Sequence, residues 1–224
     1  MNTLRVRVAE RREQAQGICS FDLVAADEAT TLPAFTPGAH IDVHVPGGWV
    51  RQYSLCGPPG QPGPYQIAVL REAAGRGGSA SRHDALAEGD RLAVSAPRNH
   101  FALSEAPGAS LLFAAGIGIT PLVAMADALH AQGREFTLHY CARSEARTAF
   151  LHRLRERPYA DRVRFHFDGG EASRQLDIAA ALAAAPDGAH AYVCGPQPFI
   201  AAVRDGAARA GWPAARVHFE HFSG

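Results

Sequence analysis

Two groups of short segments combine glycines, arginines and hydroxyl residues in the way that phosphate binding requires. The first group lies in the C-terminal half. Leu111-Leu112-Phe113-Ala114-Ala115-Gly116-Ile117-Gly118-Ile119-Thr120-Pro121 runs from an apolar strand through a glycine turn into a helix opened by proline. Glycines let a ligand approach the backbone, Thr120 is expected to cap the helix, and Pro121 suits its first turn. Free N–H groups and the positive helix end would then face a pyrophosphate at the carboxyl edge of a sheet. GxG without the rest of the dinucleotide fingerprint also fits a ligand-free turn. Val193-Cys194-Gly195-Pro196-Gln197-Pro198-Phe199 repeats the strand-to-helix arrangement, and a parallel sheet can bring both ends to one crevice. Arg143 and Ser144 follow another strand, Phe136–Cys141. They suit the ribose or phosphate of an adenosine, or else form a solvated loop. Because arginine accommodates a 2′-phosphate, residue chemistry alone leaves NADPH open beside NADH.

The second group lies in the N-terminal half. On a strand, Arg51-Gln52-Tyr53-Ser54-Leu55 puts Arg51, Tyr53 and Leu55 on one face and Gln52 and Ser54 on the other. A ring, a hydroxyl and a guanidinium together offer stacking, hydrogen bonding and charge to a flavin, although Tyr53 in a core and Arg51 on a surface explain the stretch equally. Arg71-Glu72-Ala73-Ala74-Gly75-Arg76-Gly77-Gly78-Ser79 joins a strand to a short helix through three glycines, with Ser79 as N-cap. Such a turn converges backbone donors on a terminal phosphate; a ligand-free hairpin is the plainer reading.

The elements that must position these segments fall into two styles. From Leu4 to Ala96, short β-rich runs separated by Gly/Pro turns predict an antiparallel barrel or sandwich: Leu4–Val8, Ile18–Val24, His40–Val45, Val50–Leu55, Tyr65–Leu70 and Arg91–Ala96. A short helix is expected from Ser79 toward Leu86. From Ser110, strands at Leu111–Ala115, Phe136–Cys141, Val163–Phe167, Ala189–Cys194 and Val217–Glu220 alternate with helices at Pro121–His130, Ala146–Arg155, Ile178–Ala185 and Pro198–Ala210. That alternation predicts a doubly wound parallel sheet, because parallel pairing needs crossovers long enough to hold a helix. The expected division is a β-domain over 1–100 and an α/β nucleotide-binding domain over 108–224, with the seam at Pro97–Gly108.

Charge balance excludes a global pull toward nucleic acid or anionic lipid, since 22 Lys+Arg offset 22 Asp+Glu. Cys19, Cys56, Cys141 and Cys194 are too scattered for zinc, an iron–sulfur cluster or a redox CxxC, and read as free thiols. His40 and His44 share a strand face without a third ligand at metal spacing, so no metal site is expected. A hydrolase reading lacks the G-x-S-x-G elbow. No signal-like or membrane-spanning run is present, which makes a cytoplasmic protein the expectation.

The ordered set Arg51–Leu55, Gly75–Ser79, Gly116–Pro121 and Cys194–Phe199 resembles the ferredoxin–NADP reductase superfamily, and more closely the phthalate dioxygenase reductase and vanillate demethylase reductase family. The resemblance implies a six-stranded flavin barrel followed by an NAD(P) domain. By that likeness Arg51 would hold the flavin phosphate, Tyr53 would lie against the flavin ring, Ser54 would approach its reactive nitrogen, and Leu70 would add a contact. Gly77, Gly78 and Ser79 would cradle the phosphate. Gly116, Gly118 and Thr120 would approach the dinucleotide, with Arg143, Gly195, Pro196 and Phe199 shaping its site and Cys194 beside nicotinamide. Glu220 and Phe222 match a terminal Glu-x-Phe that lies near the flavin in relatives.

FMN rather than FAD and NADH rather than NADPH are the implied cofactors, with Ser54, Cys194 and Glu220 as the catalytic set. The implied activity is hydride transfer from NADH to FMN, then single-electron delivery to a [2Fe-2S] domain or ferredoxin serving an oxygenase or demethylase. The familiar branch continues into a [2Fe-2S] domain, whereas this sequence stops at Gly224 and its cysteines lack that domain's spacing. A fragment, or a reductase with a separate acceptor, is therefore expected. Two rival readings are a stand-alone flavin reductase or haem-protein reductase, and a nucleotide-binding regulatory protein without turnover.

Overall fold

A computed structural model of the chain describes residues 3–45, 49–71, 86–169 and 175–222. The helix expected from Ser79 lies outside the described residues. Six strands form one antiparallel sheet: β1 Thr3–Ala15, β2 Ile18–Ala25, β3 His40–Val45, β4 Trp49–Ser54, β5 Tyr65–Leu70 and β6 Arg91–Ser95, in the order β4-β3-β6-β1-β2-β5. The sheet curls until its ends meet, where the Cys56 N–H just past β4 donates to the Gln66 carbonyl of β5 at 2.9 Å. Alternation fills the inside. Val6, Val8, Phe21, Leu23, Ile41, Val43, Leu55, Ile67 and Val94 are fully buried there, while His40 and Asp42 point to the other face.

β1 runs past the expected Val8 to Ala15, through a charged stretch. Pairing carries it: Glu10 to Ala15 lie opposite β2, with register shifts after Val8 and Glu13, and Arg12 makes a 2.9 Å ion pair with Asp22. Charged side chains on an exposed strand face cost little when they pair across strands.

The second sheet is wholly parallel, β11-β10-β7-β8-β9, built from β7 Ser110–Ala115, β8 Phe136–Ala142, β9 Val163–Phe167, β10 His190–Cys194 and β11 Val217–Glu220. Helix α1, Ile119–Ala131, covers one face, where Leu112, Ala114, Leu138, Tyr140 and Tyr192 point. Leu111, Phe113, Ala191 and Val193 face the other side, under α3 Ile178–Ala183 and α4 Gln197–Arg209.

The helices differ from expectation at their ends, α1 starting at Ile119 rather than Pro121, and two of the differences have a visible cause. The stretch read as one helix over Ala146–Arg155 is a 3-10 turn at Glu145–Arg147, then a break, then α2 at Leu151–Arg155. Buried Phe150 causes the break by adopting φ 59°, the one positive-φ non-glycine among the described residues, while the Thr148 hydroxyl turns back to the Ser144 carbonyl at 2.8 Å. Helix α3 stops at Ala183 rather than Ala185 and is capped by Asp177, which accepts from the Ala180 N–H at 2.9 Å.

The two sheets share packing. Ile18, Cys56, Ala68 and Phe101 from the N-terminal half join the same apolar cluster as α1, α2 and the α1 face of the parallel sheet. Pro97–Gly108 is tied to the first sheet through the His40–Arg98 bridge and to the second through Ser104, whose N–H donates to the Tyr192 hydroxyl at 2.8 Å.

Candidate functional site

The carboxyl edge of the parallel sheet is fixed by glycines that touch protein. A Cβ on Gly118 would sit 2.2 Å from the Cys194 carbonyl oxygen, and one on Gly195 would sit 2.8 Å from the Ala115 Cβ. Backbone packing therefore forbids a side chain at Gly118 and locks the turn after β7 against the turn after β10. Gly116 is different: its φ is +55°, and a Cβ there would point into open space. Of the two turn glycines, only Gly116 leaves room for an approaching group.

Thr120 departs from expectation. Helix α1 begins at Ile119, so Thr120 is its second residue; it is buried, and its hydroxyl donates back to the Ile117 carbonyl at 3.1 Å. It does not cap the helix. No side chain caps the preceding 3-10 turn, α1 or α4, whose N-cap is Pro196. Two uncapped helix starts side by side, one behind an open glycine, fit the pyrophosphate of a pyridine dinucleotide. Phe199 is half-buried on the first turn of α4, and Arg143 is exposed beyond β8.

Cys194 is fully buried at the end of β10, opposite Ala114 on one side and Glu220 on the other. Burial, then the neighbouring Glu220 charge, pushes its thiol well above the ordinary range, and a hydrogen bond with the Gly195 backbone offsets only part of this. The thiol is neutral at physiological pH, which suits a packing and polarising role and not that of a nucleophile.

From the other sheet, β4 delivers Ser54 to the same place. Tyr53 is half-buried against the barrel core with Leu55, while Ser54 is 3% exposed on the opposite face. The Ser54 hydroxyl donates to Glu220 Oε2 at 3.4 Å, a long bond spanning 166 positions of sequence. Burial raises the Glu220 carboxyl to about 7, with the Ser54 hydrogen bond pulling the other way. Directly opposite Ser54 on β3 stands His40, 1% exposed, with neither ring nitrogen hydrogen-bonded. Its pKa is lowered by burial first, then by Arg98 and His100. Sequence reasoning weighed His40 only as a metal ligand, because only the β3–β4 register brings it beside Ser54.

Arg51 is half-buried on β4; its guanidinium lies 5.5 Å from the Trp49 ring, and Nη1 donates to the Val50 carbonyl at 3.1 Å. Gly77, Gly78 and Ser79 lie outside the described residues. Leu70 and Phe222 are 37% and 39% exposed. The residues present thus fit a flavin ring beside Ser54 and a dinucleotide at the Gly116 turn.

Residues 112–205 match the family model described as the oxidoreductase NAD-binding domain. Vanillate O-demethylase oxidoreductase of Pseudomonas sp. (strain HR199 / DSM 7063) is 48% identical over 220 residues, which cover 98% of this chain and 69% of that protein. Phthalate dioxygenase reductase of Burkholderia cepacia is 40% identical, with coverage of 98% and 67%. Among solved structures, a phthalate dioxygenase reductase, described as modular and transferring electrons from pyridine nucleotides to [2Fe-2S], superposes with a TM-score of 0.91 at 39% identity, covering 98% of this chain and 68% of that one.

Proposed function

The chain belongs to the family of vanillate O-demethylase oxidoreductase and phthalate dioxygenase reductase, and from that premise we propose that it is an NADH-dependent FMN reductase that serves an oxygenase or demethylase. Membership makes it an oxidoreductase that uses a flavin and a pyridine nucleotide. The observation that carries the reading is the meeting of Ser54 and Glu220, which brings the antiparallel sheet's Arg51–Ser54 strand to the carboxyl edge of the parallel sheet beside Cys194.

When bound, the flavin supplies the two-electron to one-electron conversion that links a hydride donor to an iron–sulfur acceptor. The chain's own residues supply placement and electrostatics. Gly116 and the starts of α1 and α4 present backbone donors to the dinucleotide, and Arg143 meets its adenosine end. Tyr53 and Leu70 give the flavin ring apolar contact, Arg51 with Gly77, Gly78 and Ser79 holds its phosphate, and Phe222 shields it from solvent. Ser54 presents its hydroxyl at the flavin edge, free to donate there when Glu220 is protonated and gives its own proton to the Ser54 oxygen, and donating to Glu220 otherwise. Glu220, poised near neutrality, holds or releases the proton on the far side of that hydroxyl. Cys194 fills the space behind nicotinamide as a neutral thiol. FMN is favoured because the sequence Gly75-Arg76-Gly77-Gly78-Ser79 has the form used in the FMN-binding branch. NADH is favoured by the same likeness. The partner is a [2Fe-2S] domain or ferredoxin that feeds an oxygenase. A cytoplasmic site of action is part of the proposal; no helix among the described residues is long and apolar enough to cross a membrane.

Anaerobic NADH titration of the purified chain, followed by visible absorption with the released cofactor identified, tests the proposal. Bleaching of a bound FMN chromophore is expected. A folded chain that keeps neither FMN nor FAD when both are supplied, or whose flavin stays oxidised, overturns it.

A further inference from the structure

On the functional reading above, two cofactors held by different sheets must bring their rings into contact, so the relation between the sheets is itself a variable of catalysis. One side chain away from the site spans that junction. Arg153, on the short helix α2 of the parallel-sheet half, donates through Nη1 to the Cys56 carbonyl at 3.1 Å and to Gln66 Oε1 at 2.9 Å, both in the antiparallel sheet. Its Nη2 donates to Asp127 of α1 at 2.9 Å.

The partners on each side are themselves held. Asp127 also accepts from Arg157 Nη2 at 2.9 Å and from the Tyr159 hydroxyl, so its carboxylate is fixed by three donors and aims the Arg153 fork across the junction. Gln66 donates from Nε2 to Asp22 at 2.7 Å, which orients its oxygen toward Arg153. Cys56 follows Ser54 by two residues and closes the barrel through its N–H bond to the Gln66 carbonyl. Arg153 also stands 5.5 Å from the ring of Phe150, the residue whose left-handed backbone starts α2. A buried aromatic in that left-handed conformation is strained, and surrounding structure must offset the strain. Here the strained turn aims α2 so that its arginine reaches the other sheet.

We propose that Arg153 is a positioning residue that fixes the Ser54-bearing strand end of the antiparallel sheet against the nucleotide-binding edge of the parallel sheet, and so sets the approach of the flavin and nicotinamide rings. It touches neither cofactor. Its loss changes alignment and leaves the binding contacts intact.

The test uses the whole chain as wild type, Arg153→Met, Arg153→Lys and Asp127→Asn, loaded with FMN, with anaerobic flavin reduction followed across NADH concentrations. For Arg153→Met the maximal reduction rate is expected to fall about tenfold or more, with the half-saturating NADH concentration and FMN retention within about twofold. The long-wavelength absorbance of the nicotinamide–flavin pair should weaken. In the unloaded protein the Cys56 amide should exchange its hydrogen faster. Arg153→Lys should recover only part of the rate, because one ammonium cannot reproduce a planar fork spanning three acceptors. Asp127→Asn should act in the same direction by weakening the aim of that fork.

Full reduction rate and unchanged absorbance in Arg153→Met overturn the proposal, as does a parallel loss of rate, nucleotide affinity and flavin retention, which marks a purely structural role. Should Arg153→Met fail to fold, Gln66→Met removes one acceptor on the barrel side, and a rate loss of about threefold or an unchanged rate decides the matter. A wild-type chain that binds no flavin or is not reduced by NADH sinks the functional reading and this role with it, whereas a competent wild type beside an unaffected variant sinks this role alone.

Discussion

Among the described residues, two of the polar junctions between the halves have opposite character. At one, Ser54 and Glu220 are joined by a single bond of 3.4 Å to a carboxyl raised to about 7. At the other, Arg153 makes three bonds of 2.9 to 3.1 Å, one of them to the carbonyl of Cys56, which belongs to the same apolar cluster as Phe101, whose ring lies edge-on to Tyr192. Charge-assisted bonds to fixed partners resist displacement, while a long bond to a group near its titration point yields easily to a proton or a ligand. The difference teaches a division of labour: stiffness lies away from the proposed site, and the contact at that site is left soft.

The most damaging way to break that contrast is to hollow the stiff junction. Phe101→Ala should lower unfolding stability by about 3–5 kcal/mol, as read by denaturant titration, because Phe101 is 3% exposed in the apolar cluster that both halves share. A loss below about 1 kcal/mol would mean that the sheets do not depend on this seam. Ser54→Ala attacks the soft junction. Flavin reduction by NADH should slow about tenfold while stability changes by less than about 1 kcal/mol, since only one long hydrogen bond is lost. Equal damage to stability and rate would make Ser54 a structural residue.

A third effect sharpens the comparison through pH. Burial raises Glu220 from the ordinary 4.5 to about 7, so between those values the folded protein holds a proton that the unfolded chain has released. Stability contributed at this position therefore falls as pH rises through that window and is flat above and below it. Glu220→Gln should remove the slope, visible as a wild-type-minus-variant difference in unfolding free energy that declines from pH 4.5 to pH 7. Ser54→Ala should shift the end of the window upward, because the hydroxyl is what pulls this carboxyl down. A difference that stays constant across the window would remove Glu220 as a group near its titration point.

The strands were readable along the chain because their signal is local. Apolar alternation at His40–Val45 and Tyr65–Leu70 and the buried run Leu111–Ala115 reappear as β3, β5 and β7 with little change. The failures were also local in origin. A helix over Ala146–Arg155 obeys propensity, yet the buried Phe150 must turn into the core, and tertiary packing outweighs the few tenths of a kcal/mol per residue that propensity offers. Thr120 reads as a cap because a hydroxyl precedes a proline, but the helix begins at Ile119, two residues before Pro121, and the Thr120 hydroxyl turns inward. The glycines were legible as special without revealing why. Gly118 exists for the Cys194 carbonyl and Gly116 for open space, a distinction that depends on which backbone lies across from each.

By itself the sequence determined the two strand styles, the order of the four glycine- and hydroxyl-bearing segments and, through them, the family. These follow from neighbours along the chain, where residue type and spacing act directly. Only the tertiary structure decided that Ser54 meets Glu220, that His40 stands behind Ser54 with both nitrogens unbonded, and that Arg153 reaches from one sheet to the other. Those contacts join residues 14 to 166 positions apart. Burial, hydrogen-bond geometry and the shifted carboxyl all arise from what folding packs around a group, which no local pattern encodes.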